Sequence, residues 1–324
     1  VARRALDEDD IRVRPGRTKS RPRSKDRPTH PTAIPGLVVG VDRGRYTVDL
    51  DDGGEVHAVK SREVPTLVVG DRVGVVGDTS GAGHARIARR DHRTTTLRRT
   101  ADDTDPVERV IVANATQLAV VTATTQPEPR VGLIDRALVA AYDAGIVPLL
   151  VITKTDLHPA DDLLALYGPL DMPVVAIADR VVPPDLVALL ADEVTVLIGH
   201  SGVGKSTLVN ALVPEADRTT GAVNDVTGRG RHTSTSVAAL RLPAGGFVID
   251  TPGVRTFGLA HVDPDRVVHA FADLAALADR CPRGCTHDEP ECALDEDPHP
   301  ATASRVASLR RLIRSRDTAT DGRA

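Results

Sequence analysis

Aromatic residues are nearly missing from this 324-residue chain, which has three Phe, three Tyr and no Trp. Stacking of successive bases on aromatic platforms is thereby excluded as a principal mode of nucleic-acid binding, and phosphate contacts and shape remain. Cysteine is scarce as well, and the three present crowd between Cys281 and Cys292. An odd number in one short window excludes a disulfide framework and points to a reducing compartment and a metal site. No uninterrupted apolar run approaches a bilayer span, and the Arg-rich opening residues lack a following apolar core, so no membrane helix or signal peptide is expected and a cytoplasmic location is. What is there, 41% apolar and 27% charged residues, is the composition of a soluble globular protein with room for two or three domains.

The net charge of −4 conceals segregation. Residues 1–30 carry ten Arg or Lys against five acids, Arg86 to Arg99 holds six Arg against Asp91, and Arg305 to Arg316 holds five Arg and no acid. Three basic segments on a mildly acidic chain predict a polyanionic partner.

Residues 1–33, rich in Arg, Asp, Pro and Thr without apolar periodicity, read as a disordered basic arm. Over 34–100 the text turns to short β-branched runs such as Leu37 to Val41, Tyr46 to Leu50, Val56 to Val59 and Asp71 to Val76, punctuated by Gly and Asp. These predict a small β-barrel of OB-fold type, with an SH3-like barrel giving much the same text. Over 107–259 longer units alternate. Gln117 to Thr124, Val147 to Thr153, Val174 to Ile177 and Val194 to Ile198 read as strands, and Leu133 to Ala144, Asp161 to Tyr167 and Asp185 to Ala191 as helices. Such βαβα alternation implies an α/β domain with a parallel sheet covered on both faces. Over 260–324 the strands stop, and a mainly helical module is expected, with helices at 263–279 and at Ala303 to Arg316.

The strongest chemical signal is Gly199-His200-Ser201-Gly202-Val203-Gly204-Lys205-Ser206-Thr207, placed between a predicted strand and a predicted helix. This is a P-loop: its backbone amides surround phosphate oxygens, Lys205 reaches the β and γ phosphates, and Ser206 holds Mg²⁺. Thr153-Lys154-Thr155-Asp156 at the end of another strand has the form of a guanine-specifying element. A carboxylate such as Asp156 can accept from both N1–H and the exocyclic amine of guanine, which adenine cannot offer, and the Lys154 stem can lie on the base plane. With five lysines in the chain, two stand where Arg would not serve.

Asp250-Thr251-Pro252-Gly253 matches D-x-x-G, in which Asp250 holds Mg²⁺ through water and the Gly253 amide meets the γ phosphate. Between it and the P-loop, Gly228 to Thr235 reads as a switch loop, with Thr233 or Thr235 the candidate to complete Mg²⁺ coordination. Val254 follows Gly253 where small GTPases place a water-orienting Gln, so slow intrinsic turnover is expected, and His232 is the candidate catalytic residue beside Lys205. The guanine element precedes the P-loop, so the domain is circularly permuted and the γ-phosphate sensor leads straight into the C-terminal module. There Cys281, Cys285, His287 and Cys292 place four soft ligands within twelve residues, the donor set of one structural, tetrahedral Zn²⁺.

The sequence of barrel, T-K-x-D, G-x-S-G-V-G-K-S, G-R-H-T-x-T, D-T-P-G-V-R-x-F-G-L and Cys₃His resembles the RsgA/YjeQ family of bacterial ribosome-biogenesis GTPases over about residues 34–316. The resemblance implies a monomeric cytoplasmic GTPase that binds GTP and GDP, is stimulated by the 30S subunit late in its maturation, contacts 16S rRNA through barrel and zinc module, and has no membrane partner. Three departures stand out. Thr153 replaces the usual Asn, which should weaken a loop-bracing contact. Ala178 alone represents the Ser-Ala loop expected behind guanine, and the Cys and His spacings are one residue shorter than the family pattern. Two other readings remain: an rRNA-binding scaffold with a structural nucleotide, and an ATP-dependent P-loop enzyme, which Lys154 and Asp156 disfavour.

Overall fold

The computed structural model describes residues 32–80, 84–100, 108–214, 237–251, 267–268, 271–289, 291–296 and 300–317. Residues 1–31 of the expected arm, and His232, Thr233, Thr235 and Gly253, therefore lie outside the described residues.

Five strands, β1 (Ile34–Asp42), β2 (Arg45–Leu50), β3 (Glu55–Lys60), β4 (Arg72–Gly77) and β5 (Ala85–Arg90), run in the order β1-β2-β3-β5-β4, and β4 returns to β1. Alternation puts Val48, Val56, Val73, Val75 and Ile87 inside, where they fill one small core. The β3–β5 pair is parallel and the rest are antiparallel, which is OB connectivity and separates it from the SH3-like alternative. The barrel strands end at Arg90; β6 (Thr96–Thr100) pairs instead with β7 (Glu108–Ala113) as a separate two-stranded ribbon.

The second region is a sheet of β8 (Gln117–Ala123), β9 (Val147–Thr153), β10 (Val174–Ala176), β11 (Val194–Ile198), β12 (Ala238–Arg241) and β13 (Phe247–Asp250) in the order β10-β9-β8-β11-β13-β12. All neighbours are parallel except β12–β13. Because the strands are buried on both faces, two cores form. One face packs Val121, Leu149, Val151 and Leu197 against α3 (Pro184–Leu190) and α4 (Lys205–Leu212). The other packs Val120, Leu150, Ile152 and Val196 with α1 (Val131–Ala144), Tyr167 of α2 (Asp161–Tyr167), Phe271, and the C-terminal helices α5 (Ala272–Ala278) and α6 (Pro300–Asp317). The C-terminal module thus shares a core with the α/β region. No helix among the described residues is long and apolar enough to cross a membrane.

The barrel joins this sheet through β1, where Gly40 pairs with Ala238 of β12, and through Arg241, which donates to buried Asp49 at 2.9 Å and stacks on Phe247.

Much of the positive charge counted in the central and C-terminal basic segments is balanced within the fold. On α6, Arg305 bridges Asp171 and Asp273, Arg310 pairs with Asp295, Arg311 with Asp135 and Arg314 with Asp288. In the central segment Arg93 makes a forked contact to fully buried Asp71 and Arg89 pairs with Asp91. Apart from Asp91, each acid that balances these charges lies on a sequence-distant element or turn, out of reach of a local charge count.

Candidate nucleotide site and metal centre

The P-loop forms because β11 ends against β8 and the chain must turn at once into α4. A side chain at Gly199 would put its Cβ 2.2 Å from the Val121 carbonyl, so only glycine lets the loop leave the sheet there. Gly204, at φ 97°, sets the loop into the first turn of α4. Ser201, Ser206 and Thr207 are exposed along this rim. The Lys205 ammonium folds back on the loop and donates to the Gly199 carbonyl at 2.6 Å. Burial pulls its pKa down, and the nearby Asp250 carboxylate opposes that shift. Asp250, at the end of β13, shows the converse: burial raises its pKa while Lys205 and the Thr251 amide lower it. Among the described residues its buried Oδ1 has no hydrogen-bond partner, an orphaned acceptor of the kind a metal-bound water satisfies. The residues present therefore fit a Mg²⁺–phosphate group.

The guanine element ends β9, two strands from β11, at the same carboxyl edge of the sheet, where α/β folds place ligands. Buried Thr153 lies with its hydroxyl 2.6 Å from the Val203 carbonyl and 3.1 Å from that of Thr122. Thr in place of Asn therefore still braces the P-loop, but its single proton must serve both carbonyls. Lys154 adopts a left-handed backbone, φ 59°, its carbonyl accepting from the Thr124 hydroxyl at 2.8 Å and its ammonium donating to the Gln126 carbonyl. Asp156 is exposed and accepts from the Asp179 amide at 3.1 Å, while the Thr155 amide donates to the Ile177 carbonyl at 3.2 Å. The loop around Ala178 is thus placed directly behind Asp156. Between these segments lies a cleft of about 400 Å³ lined by Thr153, Lys154, Asp156, Ile177, Arg180 and Gly204 among others, a size that holds a nucleoside.

Sequence reasoning missed the cleft's walls, Leu157, Ile177, Arg180 and Val182. The signal that finds them is topological, since β10 pairs in parallel with β9 and so delivers the residues after Ala176 to the same edge.

The ligand atoms of Cys281, Cys285, His287 and Cys292 all lie within 4.8 Å of one another, so the shortened spacings do not prevent convergence. Cys281 Sγ is 3.7 Å from both Cys292 Sγ and His287 Nδ1, and Cys292 Sγ is 3.9 Å from that nitrogen. A tetrahedral site with metal–sulfur bonds of about 2.3 Å has ligand separations of about 3.8 Å. The Cys281-Pro-Arg-Gly-Cys285 turn, with Gly284 at φ 80°, brings the first two thiols round, and the His287 amide donates to Cys285 Sγ at 3.3 Å. Arg310 of α6 donates to the His287 carbonyl at 2.8 Å and so fastens the cluster to the C-terminal helix.

A five-stranded barrel, an α/β P-loop region with its guanine element ahead of the P-loop, and a Cys₃His cluster define a circularly permuted GTPase. The profile of the RsgA GTPase family matches residues 90–260. The chain is 39% identical over 273 residues to the small ribosomal subunit biogenesis GTPase RsgA of Pseudomonas syringae pv. tomato, covering 80% of this chain and 78% of that one. To the protein of the same name from Azotobacter vinelandii it is 38% identical over 296 residues, covering 86% and 85%. The crystal structure of YjeQ from Thermotoga maritima superimposes with a TM-score of 0.63 at 27% identity, covering 86% of this chain and 98% of that one. The chain belongs to the RsgA GTPase family.

Proposed function

We propose that this protein hydrolyses GTP under stimulation by the small ribosomal subunit, acts in late 30S maturation in the cytoplasm, and contacts 16S rRNA through its barrel and Cys₃His module as a monomer. The observation that carries the reading is the convergence of Asp156 and the P-loop on one nucleoside-sized cleft. The family relatives are named for the same role. The domain limits that go with it are a basic arm at 1–33, the barrel at 34–100, the permuted GTPase domain at 107–259 and the zinc module at 260–324.

In this reading the amides of Gly199, His200, Ser201, Gly202, Val203 and Gly204 and the start of α4 bind phosphates, Lys205 neutralises the β and γ groups, and Thr207 completes the rim. Ser206 and Asp250 hold Mg²⁺ with Thr233 or Thr235, Gly253 senses the γ phosphate, and Asp156, Thr153, Lys154 and Thr155 form the base side. The bound Mg²⁺ supplies charge for the developing phosphate anion. His232 orients the attacking water when the ribosome orders its loop.

The test is phosphate release from GTP and from ATP, each with and without purified 30S subunits. Release is expected from GTP alone, slow unaided and stimulated by the subunit; no turnover above background would leave the scaffold reading, and equal use of ATP would leave the third. In the same assay Asp156→Asn should lose GTP and gain xanthine nucleotide, and unchanged GTP affinity would remove the base-reading role. His232→Ala should bind GTP and the subunit yet lose most stimulated hydrolysis, whereas normal stimulation would move the water-orienting group elsewhere.

The cluster of Cys281, Cys285, His287 and Cys292 we assign to structural zinc, since all four tetrahedral positions come from the chain. Metal analysis of protein prepared without chelator should return about one zinc per chain, and a metal-free, folded preparation would overturn the assignment.

A further inference from the structure

Guanine presents two readable edges. N1–H and the exocyclic amine donate, and a carboxylate such as Asp156 accepts from both. O6 and N7 accept, and adenine carries an amino donor where guanine has O6. A guanine site therefore gains from donors on this second edge as well.

Four side chains lining the cleft carry donors: Thr153, Lys154, Arg180 and Thr207. The single Thr153 proton is committed to the Val203 or Thr122 carbonyl. The Lys154 ammonium donates to the Gln126 carbonyl. Thr207 stands in the first turn of α4 directly after Lys205 and Ser206, at the phosphate end. Arg180 makes no hydrogen bond or ion pair among the described residues. It differs in this from Arg305, Arg310, Arg311 and Arg314, each of which has a carboxylate.

Its backbone is also unusual. The Val181 amide donates to the Ala178 carbonyl at 2.9 Å, closing a four-residue turn whose central residues, Asp179 and Arg180, both lie in the left-handed region at φ 50° and 61°. Such turns favour Gly and Asn, so an Arg at the second position carries strain that the surroundings must hold. One tether is visible: the Asp179 amide that donates to Asp156. The turn that holds Asp156 thus also sets Arg180 on the wall of the same cleft.

We propose that Arg180 is a specificity-determining residue whose planar guanidinium donates to O6 and N7 of guanine, while Asp156 reads the N1–H and amino edge. This rests on the reading of the cleft as a guanine site. A fork of parallel N–H donors matches this pair of acceptors, and the amino group of adenine would face it with a like donor.

The test is calorimetric titration of the full chain with GDP, 7-deaza-GDP, which carries C–H in place of N7, and ADP, using the native protein, Arg180→Ala and Arg180→Lys. The native chain should bind GDP about tenfold tighter than 7-deaza-GDP, the size of one lost hydrogen bond to a charged group. In Arg180→Ala, GDP should weaken by about that factor or more and the gap between the two nucleotides should close. Arg180→Lys keeps the charge without the fork and should narrow the gap, and it carries the comparison if the Ala variant fails to fold. Unchanged GDP affinity, a native chain that does not distinguish the two nucleotides, or equal losses for both that preserve the gap would each overturn the proposal. Failure of the guanine reading itself looks different: the native chain would then bind ADP as well as GDP, or neither.

Discussion

Lys205→Ala is expected to reduce single-turnover phosphate release from GTP by about a hundredfold or more, the loss that follows removal of a preorganised charge from a developing anion. Among the described residues no other cation is placed to compensate. Lys205 faces Asp250, and burial already depresses its pKa, so its charge is maintained against desolvation by that carboxylate and, in the working complex, by phosphate. Removing it acts on Asp250 as well. Burial raises the Asp250 pKa and Lys205 lowers it, so the variant's Asp250 titrates higher still. The carboxylate then binds its proton over a wider range, and since Mg²⁺ needs the ionised form, residual Mg²⁺-dependent nucleotide binding should improve as pH rises. Native protein should show this dependence less. Nucleotide binding titrated at several pH values, together with single-turnover release, checks both effects; activity near the native rate would discard the P-loop assignment. Thermal stability should change little, because the ammonium's described hydrogen-bond partners are carbonyls of the loop itself, Gly199 and His200.

The chemistry of this chain was legible in proportion to how local it is. The P-loop, the Thr153 to Asp156 element and the Cys₃His set each lie within one short stretch, so spacing alone marks them, and the structure brings each set together. The α/β strands were legible because burial on both faces makes them continuously apolar, as in β8 and β9. Barrel type was not, since OB and SH3-like barrels share the same short alternating strands and differ in who pairs with whom, here β3 with β5 in parallel. Strand β5 was hidden for a different reason. In Ala85-Arg-Ile-Ala-Arg-Arg90 the inward residues are Ala85 and Ile87, and the intervening arginines make the text look like a charge run.

Least legible was what the arginines do. Asp135 and Arg311 are 176 residues apart, yet one buries the other's charge. Nor did the motif reveal that the Thr153 proton is taken by the Val203 or Thr122 carbonyl, which turns attention to Arg180.

The second large effect is expected at that Asp135–Arg311 pair. Asp135 on α1 is 2% exposed and accepts from Arg311 Nε at 3.0 Å and from the Tyr167 hydroxyl at 3.0 Å. The Arg311 guanidinium also lies 5.2 Å from the centroid of the Tyr167 ring. Burial raises the Tyr167 pKa far above its ordinary value, and Asp135 raises it further, so the phenol stays a donor throughout the accessible pH range. Burial raises the Asp135 pKa too, opposed first by the Arg311 charge and then by the Tyr167 hydrogen bond. Arg311→Ala leaves a carboxylate in the shared core with one neutral donor, and the expected cost is about 3 kcal/mol. The sign of its pH dependence follows from linkage. A carboxyl whose folded pKa lies above its unfolded value stabilises the fold while protonated and loses that contribution as pH rises through the folded pKa. Loss of Arg311 lifts that folded pKa further, so the variant's deficit should be small near pH 4 and grow towards neutrality. Thermal unfolding at pH 5 and pH 8 reads the difference as a melting temperature that drops by several degrees more at the higher pH. Replacing both residues by Leu should recover most of the loss, because two apolar side chains leave no charge to satisfy. A pH-independent deficit would mean that Arg311 acts through packing on Tyr167 alone. Metal content should be the same in every variant as in the native chain, since the pair ties α6 to α1 and touches none of Cys281, Cys285, His287 and Cys292. A variant that loses bound metal together with stability would show that the Cys₃His cluster depends on this docking, and the C-terminal module would then fold only against the GTPase face.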